Sequence, residues 1–274
     1  MKPVAFSLAL VVTIAVAFAL HEAPLEVVVL AAVPAAAYAG IVIALLRPAE
    51  PPALAVALFL WGAAAAAPAA ERTNAVLGAT ELGPAVWVPL VEESLKALGL
   101  ALLLMVRPER LSDARSGVAC GALVGLGFAS VENIHYLLMA AVQGGAGGLS
   151  RAVFVRGVLQ GLNHATFTGA VGASLGLARR LPSGAGSLGV AGLGFLLACA
   201  QHGAWNGIAS FRITDLLCGV PSAAGACQPN PTAEALYLQV PLVVMLFIGP
   251  GMVALAWLAR ERTGVASERG ASDR

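Results

Sequence analysis

Residues 84–106 read PAVWVPLVEESLKALGLALLLMV. This nearly unbroken apolar run is long enough to cross a bilayer as one helix, for which ~20 residues suffice. Yet Glu92, Glu93 and Lys96 stand near its middle. There, even on the mildest insertion scale, a charged side chain costs ~2.5–3.5 kcal/mol. A chain that carries such groups at that depth must shield them with neighbouring helices. The stretch therefore points to a membrane helix bundle and also to where its chemistry lies.

The rest of the chain agrees. Of 274 residues, 59% are hydrophobic and 11% charged, less than half the ~25% charged share of a soluble domain. A soluble fold of this composition could not cover its own surface. The net charge of +1 offers no basic field for nucleic acid, and four widely spread cysteines make no disulfide framework. About eight stretches have spanning length: residues 3–20, 26–46, 53–70, 84–106, 116–142, 151–177, 188–211 and 235–258. None alternates with strand periodicity, so the expected fold is all-α, a polytopic bundle rather than an outer-membrane barrel.

Charge distribution orients the bundle. With both termini cytoplasmic, the inner segments carry Lys2, Arg47, Arg107, Arg110, Arg115, Arg179, Arg180, Arg260, Arg262, Arg269 and Arg274. The outer loops then carry only Arg72, Arg151 and Arg212, as the positive-inside rule requires. The implied organisation is three N-terminal helices over residues 1–83, a catalytic set of four over 84–211, and an extracytoplasmic loop over 212–234. An eighth helix over 235–259 and a disordered cytoplasmic tail over 260–274 complete it. The first span also resembles a signal peptide, with Ala17-Phe18-Ala19 near a cleavage site; the later orientation is the same either way. Cys218 and Cys227 lie in the outer loop, where a disulfide is permitted. Cys120 and Cys199 read as packing residues.

Ionisable and amide side chains inside the spans concentrate on four of them. Beyond Glu92, Glu93 and Lys96, these are Glu132, Asn133 and His135; Arg156, Gln160, Asn163 and His164; and Gln201, His202 and Asn206. At ~1.5 Å per residue, Glu92, Glu132, His164 and His202 fall ~12–20 Å below the outer ends of helices that alternate in direction. They reach a similar level, as though four helices enclose one polar site. Spacing gives the facing: Arg156, Gln160 and His164 share a stripe, as do His202 with Asn206 and Glu132 with His135. Lys96 is one turn from Glu92 and can neutralise it, leaving Glu93 to point elsewhere. Glycines at 117, 121 and 125, and at 157 and 161, allow close helix approach.

Two glutamate sites, two histidines and an asparagine are the parts of a hydrolase. A carboxylate can serve as general base toward water. His164, His202 and Glu132 can form the three-ligand site of a catalytic zinc. Without metal, a Glu–His pair can activate the water while His202 and Asn206 stabilise the oxyanion. The spacing does not separate these routes. Each feature also has a plain structural reading: Glu92–Lys96 as a compensated pair, an intramembrane His as a hydrogen bond between helices, His135 as a residue near the outer surface. The joint convergence is what favours chemistry. Other chemistries drop out. His21-Glu22 lacks the second His of HExxH, and every Asp (Asp113, Asp215, Asp273) lies outside the spans. The Gly172–Gly176 elbow-like string sits in a helix rather than a strand–turn–helix. Gly144–Gly148 has no following Lys, so it is no P-loop; it reads as a flexible outer loop.

In four blocks the chain resembles the PrsW family of intramembrane proteases, relatives of the CAAX-processing and bacteriocin-processing membrane enzymes. Glu92-Glu93-Ser94-Leu95-Lys96 fits EExxK, and Phe128-Ala129-Ser130-Val131-Glu132-Asn133 fits FxxxEN. Arg156, His164 and Gly172 keep the spacing of the third block, and His202-Gly203-Ala204-Trp205-Asn206 fits HxxWN. The resemblance implies a bacterial cell-membrane protease, metallo- or glutamic-type, that cuts a single-span membrane protein near the extracytoplasmic side, the founding role being degradation of an anti-sigma factor. By position it implies catalytic Glu92, Glu93, Glu132, His164 and His202, supported by Lys96, Asn133, Arg156 and Asn206. The competing readings are a proton-coupled transporter, since buried Glu/His chains also mark ion paths, and a non-catalytic membrane scaffold. Transporters usually show repeated halves with broken helices, and the sequence shows none.

Overall fold

The structure, a computed structural model, describes residues 23–46, 52–78, 80, 82–159 and 161–210. The spans expected at 3–20 and 235–258, both termini, the Cys218–Cys227 loop and the tail lie outside these residues. Among the described residues the architecture is all-helical: α1 (Leu25–Leu46), α2 (Pro52–Leu77), α3 (Val88–Val106), α4 (Ala114–Ala152), α5 (Asn163–Ala178) and α6 (Ala185–Ser210).

Local chemistry sets several boundaries. The Asp113 carboxylate accepts from Ser116 N at 2.8 Å and the Ser116 hydroxyl accepts from Asp113 N at 3.2 Å, a reciprocal cap that starts α4. Arg107 leaves helical geometry just before Pro108, which ends α3. Among the described residues, three π-helical turns interrupt the regular helices: Trp61–Ala66 within α2, Gly83–Trp87 ahead of α3, and Val153–Leu159 ahead of α5. The continuous span expected at 151–177 is thus two pieces. The Gly144–Gly148 segment, expected as a loop, is helical apart from Gly145, whose φ of 56° and ψ of −147° break α4 there. A positive φ is sterically free only for glycine.

Helix α4 is the hub. Every residue from Gly117 to Val131 is buried, the mark of a helix surrounded by others. Antiparallel α5 packs on one side through a seam where Gly117 meets the Gly172 carbonyl, Gly121 the Thr168 carbonyl and Gly125 the His164 carbonyl. On another side Gly127 meets the Phe59 carbonyl and Gly62 of α2 meets the Val124 backbone. Helix α1 leans on the third π turn: Pro34 lies against Gly157, and the Tyr38 hydroxyl donates to the Val158 carbonyl at 2.6 Å.

Among the described residues, four stretches are long and apolar enough to cross a membrane: Leu25–Leu45, Pro52–Leu77, Ala114–Ala178 and Ala185–Asn206. The third is 65 residues long and folds back on itself as the α4–α5 hairpin. Helix α3 lies where a helix is expected and carries Glu92, Glu93 and Lys96 among its buried residues. Leu25, Val29 and Val33 line the exposed face of α1, and Leu188, Leu193 and Leu197 line that of α6, the apolar exterior that acyl chains accept.

The glycine seam is testable. A side chain at Gly121 would run into backbone that cannot rotate away. Gly121→Leu is expected to destabilise by at least the ~1–3 kcal/mol of core overpacking. Gly186→Ala, where a β-carbon meets open space, should be neutral or slightly stabilising. Thermal unfolding of both variants in detergent checks this.

Candidate active site

One turn of α3 presents Glu92, Glu93 and Lys96 to the interior, none more than 2% exposed. The Lys96 ammonium is ringed by acceptors. It donates to Glu93 Oε1 at 2.8 Å, to His164 Nδ1 at 2.9 Å and to Glu92 Oε2 at 3.4 Å, and it sits 3.8 Å from the centre of the Phe128 ring. The spacing pointed to Glu92 as its partner with Glu93 turned elsewhere. The structure puts Lys96 between the two, closer to Glu93, because a buried ammonium has three donors to satisfy.

The imidazoles follow. Lysine has only donors, so His164 Nδ1 must accept; His164 Nε2 then carries the proton and donates to Glu132 Oε2 at 2.9 Å. His202 Nδ1 donates to Glu93 Oε1 at 2.9 Å, which turns Nε2 toward Glu92 Oε2 at 3.7 Å. Thr168 donates to Glu93 Oε2 at 3.0 Å. Phe167 stacks on His202 with centroids 4.9 Å apart. Arg156, carried by the third π turn, donates from Nη2 to Glu132 Oε2 and from Nε to Asn133 Oδ1, both at 2.8 Å, while its guanidinium lies 3.6 Å from the centre of the Tyr136 ring. Such turns are frequent at functional sites.

Each histidine thus has one nitrogen fixed by a carboxylate, Glu132 for His164 and Glu93 for His202. This is the arrangement that orients metal-binding imidazoles. The expected ligand trio was His164, His202 and Glu132. The structure gathers the two imidazoles with Glu92 instead: ligand atoms of Glu92, His164 and His202 all lie within 4.8 Å of one another. Glu132 comes to His164 through the other ring nitrogen and is held by Arg156. A His₂Glu set is one that catalytic zinc uses. Charge favours the same view. Among the described residues the carboxylates of Glu92, Glu93 and Glu132 pair with two cationic side chains, Lys96 and Arg156, so the cluster has one carboxylate in excess. The residues fit a divalent ion, provided Lys96 releases His164 Nδ1 and keeps Glu93.

Asn206 is half-buried one turn beyond His202, and among the described residues the cluster's hydrogen bonds do not reach it. His135 is exposed and lines a neighbouring cavity. The sequence reading missed Asn74, whose Nδ2 donates to Glu92 Oε1 at 3.0 Å, and Thr168. One turn after His164, Thr168 lies on the same face and was legible by spacing. No spacing connects Asn74 to Glu92.

Removing the central ammonium leaves adjacent carboxylates buried and unpaired. Lys96→Met is expected to cost about 3–5 kcal/mol, the usual penalty for half of a buried pair. Adding Glu93→Gln should recover part of the loss. Unfolding of both variants in detergent measures this.

A comparison with family models matches residues 50–247 to the PrsW family intramembrane metalloproteases, a stretch that holds all four motif blocks and most of the chain. No curated protein and no solved structure matches. The chain belongs to the PrsW family of intramembrane metalloproteases.

Proposed function

We propose that this protein is a multi-pass protease of the bacterial plasma membrane, with both termini cytoplasmic. It hydrolyses a peptide bond of a single-span membrane protein near the extracytoplasmic side, a membrane-anchored anti-sigma factor being the substrate type. The observation that carries this reading is the meeting of Glu92, His164 and His202, from three different helices, at one buried point. Glu132 stands beside them on the wall of a cavity. Family membership favours a protease over a transporter or scaffold.

In this reading Glu92, His164 and His202 hold a divalent metal, with zinc the ion that their donor set suits. When bound, such an ion polarises a carbonyl and makes a water nucleophilic near neutral pH. The chain's own residues do the remainder. Glu93 and Glu132 fix which ring nitrogen of each histidine is free. Glu132, steadied by Arg156 at 2.8 Å, takes the proton of the attacking water and passes it to the leaving amine. Lys96 and Arg156 place positive charge near the carbonyl oxygen as it becomes anionic. Burial of the cluster keeps bulk water out, which strengthens every one of these interactions.

Cleavage of a single-span substrate in proteoliposomes tests the assignment. Glu92→Gln, His164→Ala and His202→Ala should each lower kcat/KM by roughly 10²-fold or more while the protein stays folded. Arg156→Lys keeps the charge but loses the two-pronged contact and should fall between these variants and wild type. Stripping metal with 1,10-phenanthroline should abolish cleavage, and zinc should restore it. Full activity in all three site variants refutes the assignment. Full activity after metal removal refutes the metal and leaves water activation to the Glu–His pairs.

A further inference from the structure

Against the cluster lies a cavity of about 400 Å³, within the range of binding sites for small ligands, ~300–1,000 Å³. Glu92 and Glu132 form part of its wall. Small side chains of α2, Ala67, Ala70 and Ala75, line another part, and Val88, Phe128 and Val131 add apolar surface. Asn74 also lines it and joins the cavity to the cluster, because its Nδ2 donates to Glu92 Oε1 at 3.0 Å.

That hydrogen bond fixes the amide's orientation, since only the NH₂ end can face a carboxylate. The carbonyl end, Oδ1, is then buried with no hydrogen-bond partner. An unpaired buried acceptor is costly and uncommon. An ordered water or a ligand that enters the cavity can supply the donor. The neighbours of Asn74 on α2, Glu71, Arg72, Thr73, Ala75 and Val76, are exposed. Contact with Oδ1 from the cavity therefore requires this exposed helix end to shift.

We propose that Asn74 is a positioning residue of this site: Nδ2 holds Glu92, and Oδ1 accepts a backbone N–H from an extended, non-acidic segment of polypeptide seated in the cavity. The inference rests on the protease reading above. Past its first turn a helical segment has no free N–H to give, because each is already bonded to the carbonyl four residues earlier. An unwound one offers free donors along its length. The lining selects side chains. Alanines favour small groups, and the three carboxylates on the wall, Glu71, Glu92 and Glu132, repel an acidic side chain.

The test uses the full-length protein in proteoliposomes and a Leu/Ala-rich single-span peptide, with and without a Gly-Pro pair near its extracytoplasmic end. Asn74→Ala loses both hydrogen bonds, so KM should rise about tenfold and kcat should fall. Asn74→Asp keeps the acceptor but sets a second carboxylate against Glu92, so kcat should fall while KM stays within about twofold of wild type. The Gly-Pro pair should raise kcat/KM in wild type by unwinding the segment. An unchanged KM in Asn74→Ala, equal KM values in the two variants, or a lower kcat/KM with the Gly-Pro peptide overturns the inference. Should Asn74→Ala fail to fold, the Asp variant and the peptide comparison still decide it. Wild-type protein that cuts neither peptide nor any other single-span substrate, with or without added zinc, overturns the protease reading itself.

Discussion

Lys96 has no exposed surface, and its charge is maintained by what surrounds it: two carboxylates from its own helix, an imidazole from α5 and the ring of Phe128 from α4. A buried charge is tolerated only when paired and hydrogen-bonded. The helices that supply those partners are therefore held together by the same requirement. The rest of the cluster extends outward from this point. Glu93 reaches His202 of α6 and Thr168 of α5. His164 reaches Glu132 of α4, and Glu132 reaches Arg156. Four helices and one π turn meet in a single hydrogen-bonded network, so a change at one member is felt by the others.

Such a network needs backbones close enough for short side chains to meet. The glycine seam of α4 provides this. With no β-carbons at Gly117, Gly121 and Gly125, α5 lies directly against α4, and His164, whose carbonyl touches Gly125, is brought within reach of Glu132 and Lys96. Packing in a membrane gains little from hydrophobic burial, because lipid is as apolar as the helices. Close contact and interhelical hydrogen bonds have to supply the specificity instead. Here the small residues and the polar cluster are two parts of one arrangement.

Much of this was legible before any coordinates. Long apolar runs broken by a few ionisable groups define a membrane bundle, because lipid accepts only helices or closed barrels. The i, i+4 spacings and the common depth marked Glu92, Glu132, His164 and His202 as facing one another. The motif blocks gave the family. The break in the 151–177 run was not legible, since a π turn uses the same apolar residues as an α-helix. Nor was the continuation of helix through the Gly144–Gly148 segment, where only Gly145 leaves helical geometry.

The linear order of residues by itself pointed to one buried site for Glu92, Lys96, Glu132, Arg156, His164 and His202, because burying any of them alone in lipid is too costly. It did not determine how they pair. Whether Lys96 leans to Glu92 or Glu93, which carboxylate joins His164 and His202, and whether Asn74 takes part depend on helix rotations of a few tens of degrees and on side-chain reach across an interface. Those are set by the glycine contacts and π turns of the assembled bundle, which no local spacing encodes.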